Sequence, residues 1–139
     1  MDGIVSSNRI ISEPMKWLID VFLLGLAGAI GTLIRAGCQT LAIRLFGEAF
    51  PWGTMFVNIA GSFAFGAIYS LIRSRAVIST EHEVVLLVGL LGGITTYSSF
   101  AFQSTEMLAS GRMLTAVAYI LATNLAGIAA VWAGMRLFS

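Results

Sequence analysis

The stretch G-L-L-G-G-I-T-T-Y-S-S-F-A-F, residues 89–102, decides how this chain folds. It lies inside a run from about residue 84 to 108 that is long and apolar enough to cross a bilayer. Yet Gly92-Gly93 followed by Thr95-Thr96 weakens helix propensity near its middle. Non-helical backbone at membrane depth is tolerated only where protein buries it or where it lines a cavity. A break there predicts freed main-chain carbonyls, groups that in membrane-protein interiors coordinate cations. Tyr97 and Phe100, at i and i+3, put two rings on one side with Ser98 and Ser99 between them. An aromatic packing stripe is the competing reading of that pair.

Three more apolar runs flank this one, at about 17–46, 53–72 and 113–137. Each meets the length of about 20 residues that a crossing needs. The fold class that follows is an all-α integral membrane protein, a single domain over residues 1–139 with four spans and a polar N-terminal segment at 1–16. Composition agrees. Hydrophobic residues make up 58%, charged residues 11% and mean hydropathy is +0.90, against about 25% charged in soluble domains. The first apolar run is too long for a signal-peptide core and carries on as helix, so no cleavage is expected.

Charge excludes other classes. Eight Lys/Arg against seven Asp/Glu leave no basic footprint for nucleic acid. Cys38 has no partner for an internal disulfide and reads as a small packed residue. His82 is the only histidine and stands in a charged connection, which rules out a multi-histidine metal site within one chain. No nucleophile–base pair or intramembrane carboxylate dyad supports an enzyme. Arg9, Lys16, Arg73, Arg75 and Arg136 fall on one side of the membrane and Arg35, Arg44 and Arg112 on the other. That bias favours the termini inside but is compatible with both orientations.

Polar residues within spans are costly and tend to face an interior or a water-filled path. Thr54, Asn58 and Ser62 recur at i, i+4, i+8 and share a face; Tyr119 and Thr123 do so in the last span, with Asn124 beside them. A lined path and helix–helix hydrogen bonding both fit this spacing. Gly25, Gly28, Gly31, Gly53, Gly61, Gly127 and Gly134 predict close packing and an oligomer, because four helices enclose little space.

Three ordered motifs carry a resemblance. G-G-I-T-T-Y-S-S-F (92–100), G-T-M-F-V-N-I-A-G-S-F (53–63) and G-A-I-G-T-L-I-R (28–35) resemble the third-, second- and first-helix signatures of the Fluc/CrcB fluoride channels, over about residues 17–137. The resemblance implies an antiparallel, dual-topology homodimer in the cell inner (plasma) membrane, with the third helix broken in mid-membrane and two pores at the subunit interface. Those pores would pass F⁻ passively and lower cytoplasmic fluoride. It assigns Asn58, Tyr97, Phe100, Ser98, Ser99, Thr54, Tyr119 and Thr123 to the pore and Arg35 to its mouth. The main-chain carbonyls of Gly92 and Thr95 would hold a structural Na⁺ at the dimer centre. Partners would be a second copy, fluoride and membrane lipid. Two positions depart from the family pattern: Tyr97 where Phe is usual, and Gln103 where Glu is common. A small multidrug-type dimeric exporter is the rival, but Asp20 and Glu106 lie at span ends rather than at mid-membrane. A purely structural membrane subunit is the other.

Overall fold

A computed structural model describes residues 3–75 and 80–139, with side chains described for 15–74 and 82–139. The part of the second connection at 76–79 and the side chains of Arg9, Arg75 and Glu81 lie outside the described residues. Helices make up the architecture: α1 (Gly3–Phe46), α2 (Trp52–Arg75), α3 (Thr80–Val84), a π-helical segment (Val85–Leu91), α4 (Gly92–Ile94), α5 (Tyr97–Ala109) and α6 (Met113–Leu137). Four stretches within them are long and apolar enough to cross a membrane: Met15–Phe46, Trp52–Ser74, His82–Ala109 and Met113–Leu137. Their outward faces stay apolar, with Leu33, Leu114, Leu125 and Ile128 all exposed. Contiguous apolar surface of this kind needs lipid or another chain to cover it.

Turn chemistry ends the helices. Gly47 (φ 78°) closes α1 and Gly111 (φ 76°) closes α5, the left-handed conformation that glycine takes without a Cβ penalty. Arg112 then donates from Nη2 to the Ala49 carbonyl at 2.6 Å, tying the third connection to the first. At the other end, Arg73 pairs with Glu83 at 3.4 Å on the surface, an exposed pair that contributes little to stability.

Helix packing is set by glycines. α2 and α6 share the most extensive contact in the subunit. Gly66 faces the Val131 carbonyl and Gly134 faces the Phe63 carbonyl so closely that neither leaves room for a Cβ. α1 packs on the π-helical segment and α4 in the same manner. A Cβ on Gly93 would lie 2.6 Å from the Gly28 carbonyl, and one on Gly31 would strike the Leu90 carbonyl. Gly25, expected to be a packing glycine, meets nothing in the subunit.

The third span departs from a plain helix twice. Val85–Leu91 widens into a π-helix, a form that recurs at functional sites. Thr95 (φ −82°, ψ 154°) and Thr96 (φ −150°, ψ 113°) are then extended, and helix resumes at Tyr97. Thr96 caps the new helix, its hydroxyl accepting from Ser99 N at 3.3 Å, as threonine does at an N-cap.

Candidate functional site

The two extended threonines divert main-chain hydrogen bonds, and Asn58 receives them. Thr96 N–H would close a helical turn on the Gly92 carbonyl. It donates instead to Asn58 Oδ1 at 2.8 Å, and Asn58 Nδ2 donates back to the Thr96 carbonyl at 3.1 Å. The carboxamide thus replaces a peptide partner for one residue, and one Nδ2 proton remains uncommitted. Ser99 N–H, which would serve the Thr95 carbonyl in a continuous helix, is taken by the Thr96 hydroxyl. The break therefore strips the Gly92 and Thr95 carbonyls of their regular helical donors. Those are oxygens suited to a hard monovalent cation, and open space surrounds Gly92 within the subunit.

Two cavities flank this junction. A vestibule of about 820 Å³ opens on the side of the first connection, where Thr54, Ser98, Ser99 and Gln103 line it beneath a rim of Glu48, Glu106 and Arg112. A smaller groove of about 240 Å³ is lined by Asn58, Ser62, Tyr97, Phe100, Thr123 and Asn124. Thr96 stands between them, its hydroxyl 3.1 Å from Ser99 Oγ and 3.3 Å from Ser98 Oγ. Of the eight side chains read as pore-lining in the sequence, Thr54, Ser98 and Ser99 line the vestibule, and Asn58, Tyr97, Phe100 and Thr123 line the groove. Tyr119, the eighth, is fully buried between helices. Arg35, half-buried in α1, lines neither cavity.

Aromatic rings pack against one another beside the two cavities. Tyr97 and Phe100 stand 5.6 Å apart at 49°, Phe100 and Tyr119 5.3 Å apart at 51°, and Phe50 meets Tyr119 edge-on at 5.4 Å and 83°. Edge-directed contacts follow from the positive rim of the ring quadrupole. Phe100 is buried, whereas Tyr97 is 78% exposed, so its ring faces out of the subunit.

Thr123 stands apart. Its hydroxyl is the one buried side-chain polar atom among the described residues without a hydrogen-bond partner. Buried polar groups are almost always satisfied, and an orphan calls for a bound partner. Because no protein hydrogen bond is lost, Thr123→Val should leave the melting temperature within about 2 °C of wild type. It should nonetheless slow ion flux through reconstituted protein by about tenfold. Wild-type flux would show the hydroxyl to be idle.

Several participants carried no sequence signal of their own. Thr96 was legible only as one of the paired threonines that weaken the helix. Gln39 reaches Thr54 because Gly53 lets α1 approach, a Cβ there falling 2.7 Å from Gln39 Cα.

Comparison with known proteins places the chain. The family model for CrcB-like protein, Camphor Resistance (CrcB), matches residues 22–135. A protein of Agrobacterium fabrum named fluoride-specific ion channel FluC is 40% identical over 120 residues, 86% of this chain and 96% of that protein. Proteins of the same name from Rhizobium meliloti and Chloroflexus aurantiacus are 38% and 36% identical, over 84% and 85% of this chain and 94% of their own lengths. A chain whose described residues form helices, four stretches of them long and apolar enough to cross a membrane, and which that family matches over most of its length, is a member of the CrcB-like family.

Proposed function

We propose that this protein is a fluoride-selective passive channel, acting as an antiparallel homodimer in the cell membrane to release cytoplasmic F⁻. It is a conductor of ions rather than an enzyme, as the names of its relatives indicate for them. The observation that carries the reading is the groove lined by Asn58, Tyr97, Phe100 and Thr123, where the Thr123 hydroxyl lacks a protein partner and Asn58 keeps one uncommitted amide proton. Fluoride is small and strongly hydrated. A pore must replace its water with partial positive charge, yet bind weakly enough at several positions to let it leave. Hydroxyls, one amide proton and ring edges meet that need without a buried cation.

In this reading the groove is half of a pathway. The outward-facing Tyr97 and the apolar faces around it meet a second copy, and the two copies enclose two pores. Ser98, Ser99 and Thr54 continue the route into the vestibule, Tyr119 braces it, and Arg35 supplies positive charge where the second subunit completes an entrance. The third helix is broken at mid-membrane, and the Gly92 and Thr95 carbonyls hold a structural Na⁺ between subunits. That ion neutralises carbonyl dipoles and fixes the dimer.

Proteoliposomes loaded with KF test the proposal. Valinomycin addition should release fluoride to an external electrode within seconds, while KCl-loaded vesicles retain chloride. Retention of both ions by vesicles containing verified dimers would return the exporter and structural readings.

A further inference from the structure

Ser62 and Asn124 are polar side chains of the groove to which the pathway above gives no task. They mark its far end. α2 and α6 both start beside the vestibule, at Trp52 and Met113, and run away from it. Ser62 therefore stands one helical turn, about 6 Å, past Asn58. One turn further the seam closes, where Gly66 faces the Val131 carbonyl with no room for a Cβ. Within the subunit, the space between these helices ends at Ser62. The hydroxyl of Ser62 is not spent on its own helix. Three hydroxyls of the third span turn back on the carbonyl four residues earlier: Thr95 on Leu91 at 3.0 Å, Ser104 on Phe100 at 2.8 Å and Thr105 on Ala101 at 3.0 Å, as serine and threonine commonly do in helices. Ser62 Oγ has no hydrogen-bond partner among the described residues, and it faces Gly127 of α6, where a Cβ would lie 3.6 Å away. Asn124 is exposed in the subunit, and its Nδ2 donates to the Ile120 carbonyl at 2.7 Å. A carbonyl only accepts, so the amide nitrogen must face it, and one Nδ2 proton is left over.

We propose that Ser62 and Asn124 form a further binding position for a small monovalent anion, at the point where the groove of one subunit opens toward the second copy. The inference rests on the channel reading for its biological meaning and adds a step to it. An ion that has passed Asn58 meets the closed α2–α6 seam and has to leave sideways, over the lip that Asn124 forms. One hydroxyl proton from α2 and one amide proton from α6 give it neutral donors there. Donors of that kind replace water without holding the ion too tightly, and a path needs several such positions in series. Polar side chains within spans are costly unless they face an interior or water, which a conducting groove supplies. A hydrogen bond across the subunit contact would also satisfy Asn124, and the two roles respond differently to substitution.

The sequence holds three asparagines, Asn8, Asn58 and Asn124. Protein labelled with ¹⁵N on asparagine side chains, in detergent micelles, therefore gives three amide pairs, and Asn124→Leu identifies its own by removing it. Titration with fluoride should move the Asn124 pair downfield to saturation, and gluconate should leave it in place. Ser62→Ala should raise the fluoride concentration at the midpoint of that shift by about tenfold, the loss of one hydrogen bond to an ion. In proteoliposomes, Ser62→Ala and Asn124→Leu should each slow fluoride efflux by about tenfold, while light scattering finds both as dimeric as wild type. A stationary Asn124 pair, or wild-type efflux from either variant, would overturn the assignment even if the wild type conducts. Dissociation of Asn124→Leu into monomers would overturn it as well, by making Asn124 a subunit contact. A wild type that binds fluoride through Asn124 yet passes none would keep the anion position and sink the channel reading instead.

Discussion

Asn58→Ala should abolish fluoride efflux from proteoliposomes, lowering the rate by at least about a hundredfold. The side chain makes two hydrogen bonds to the main chain of Thr96. Removing it leaves a peptide N–H and a carbonyl unpaired beside a groove that opens only partly. Each such group costs about 1–3 kcal/mol, so the junction should lose about 3 kcal/mol of local stability and rearrange. One route of rearrangement is return of Thr96 N–H to the Gly92 carbonyl, which would extend the helix and close the junction between vestibule and groove. Asn58→Asp separates clamping from donation. Its carboxylate still accepts from Thr96 N–H, but it faces the Thr96 carbonyl without a proton and places negative charge in an anion path. It should conduct no better than Asn58→Ala while melting at a different temperature. Wild-type efflux from either variant would remove Asn58 from the pathway. Efflux that falls only in proportion to the folded fraction would make it structural alone.

The sequence made the spans plain because their signal is local: apolar residues counted over a window the thickness of a bilayer. The interruption was legible for a related reason, since Gly92-Gly93 and Thr95-Thr96 weaken a helix wherever they occur. The partner of that interruption was not. Asn58 and Thr96 lie 38 positions apart, and nothing in the stripe Thr54–Asn58–Ser62 distinguishes an amide that clamps a peptide from one that faces an ion. The structure gives Asn58 both opportunities. Tyr119 reads in the sequence as a lining residue, yet it is buried, its phenol donating to Gln103 Oε1, a partnership that no residue spacing encodes. The π-helical turn before Gly92 also lacked a local cue. It goes with the approach of α1, where Ala27 Cβ would lie 3.0 Å from a Cβ on Gly89, a tertiary demand that no residue spacing encodes. Arg35 illustrates the opposite limit: its charge is conspicuous in the sequence, but it lines neither cavity.

Gly134→Ala should be among the most destabilising single-methyl changes in the molecule. Lipid is as apolar as the side chains of α2 and α6, so these helices gain little from leaving it and hold together by close packing. The seam between them allows no slack. A Cβ on Gly134 would strike the Phe63 carbonyl and fall 2.7 Å from Ala67 N, and Gly66 opposes the Val131 carbonyl in the same way. These neighbours are backbone atoms of a rigid helix, not side chains that can turn aside. The helices must separate, at a cost of about 3 kcal/mol, near the top of the usual range for overpacking. Separation also pulls Thr123 on α6 away from Asn58 on α2, so efflux should be lost with the fold. Gly25→Ala supplies the contrast: its Cβ meets nothing within the subunit, and alanine is the better helix former by about 1 kcal/mol. Thermal melts in detergent with parallel efflux assays should therefore show Gly134→Ala lowered by many degrees and inactive, with Gly25→Ala unchanged or raised. Equal stability of the two would mean that the α2–α6 seam can spread without loss. It would then no longer be the element that fixes the distance across the groove.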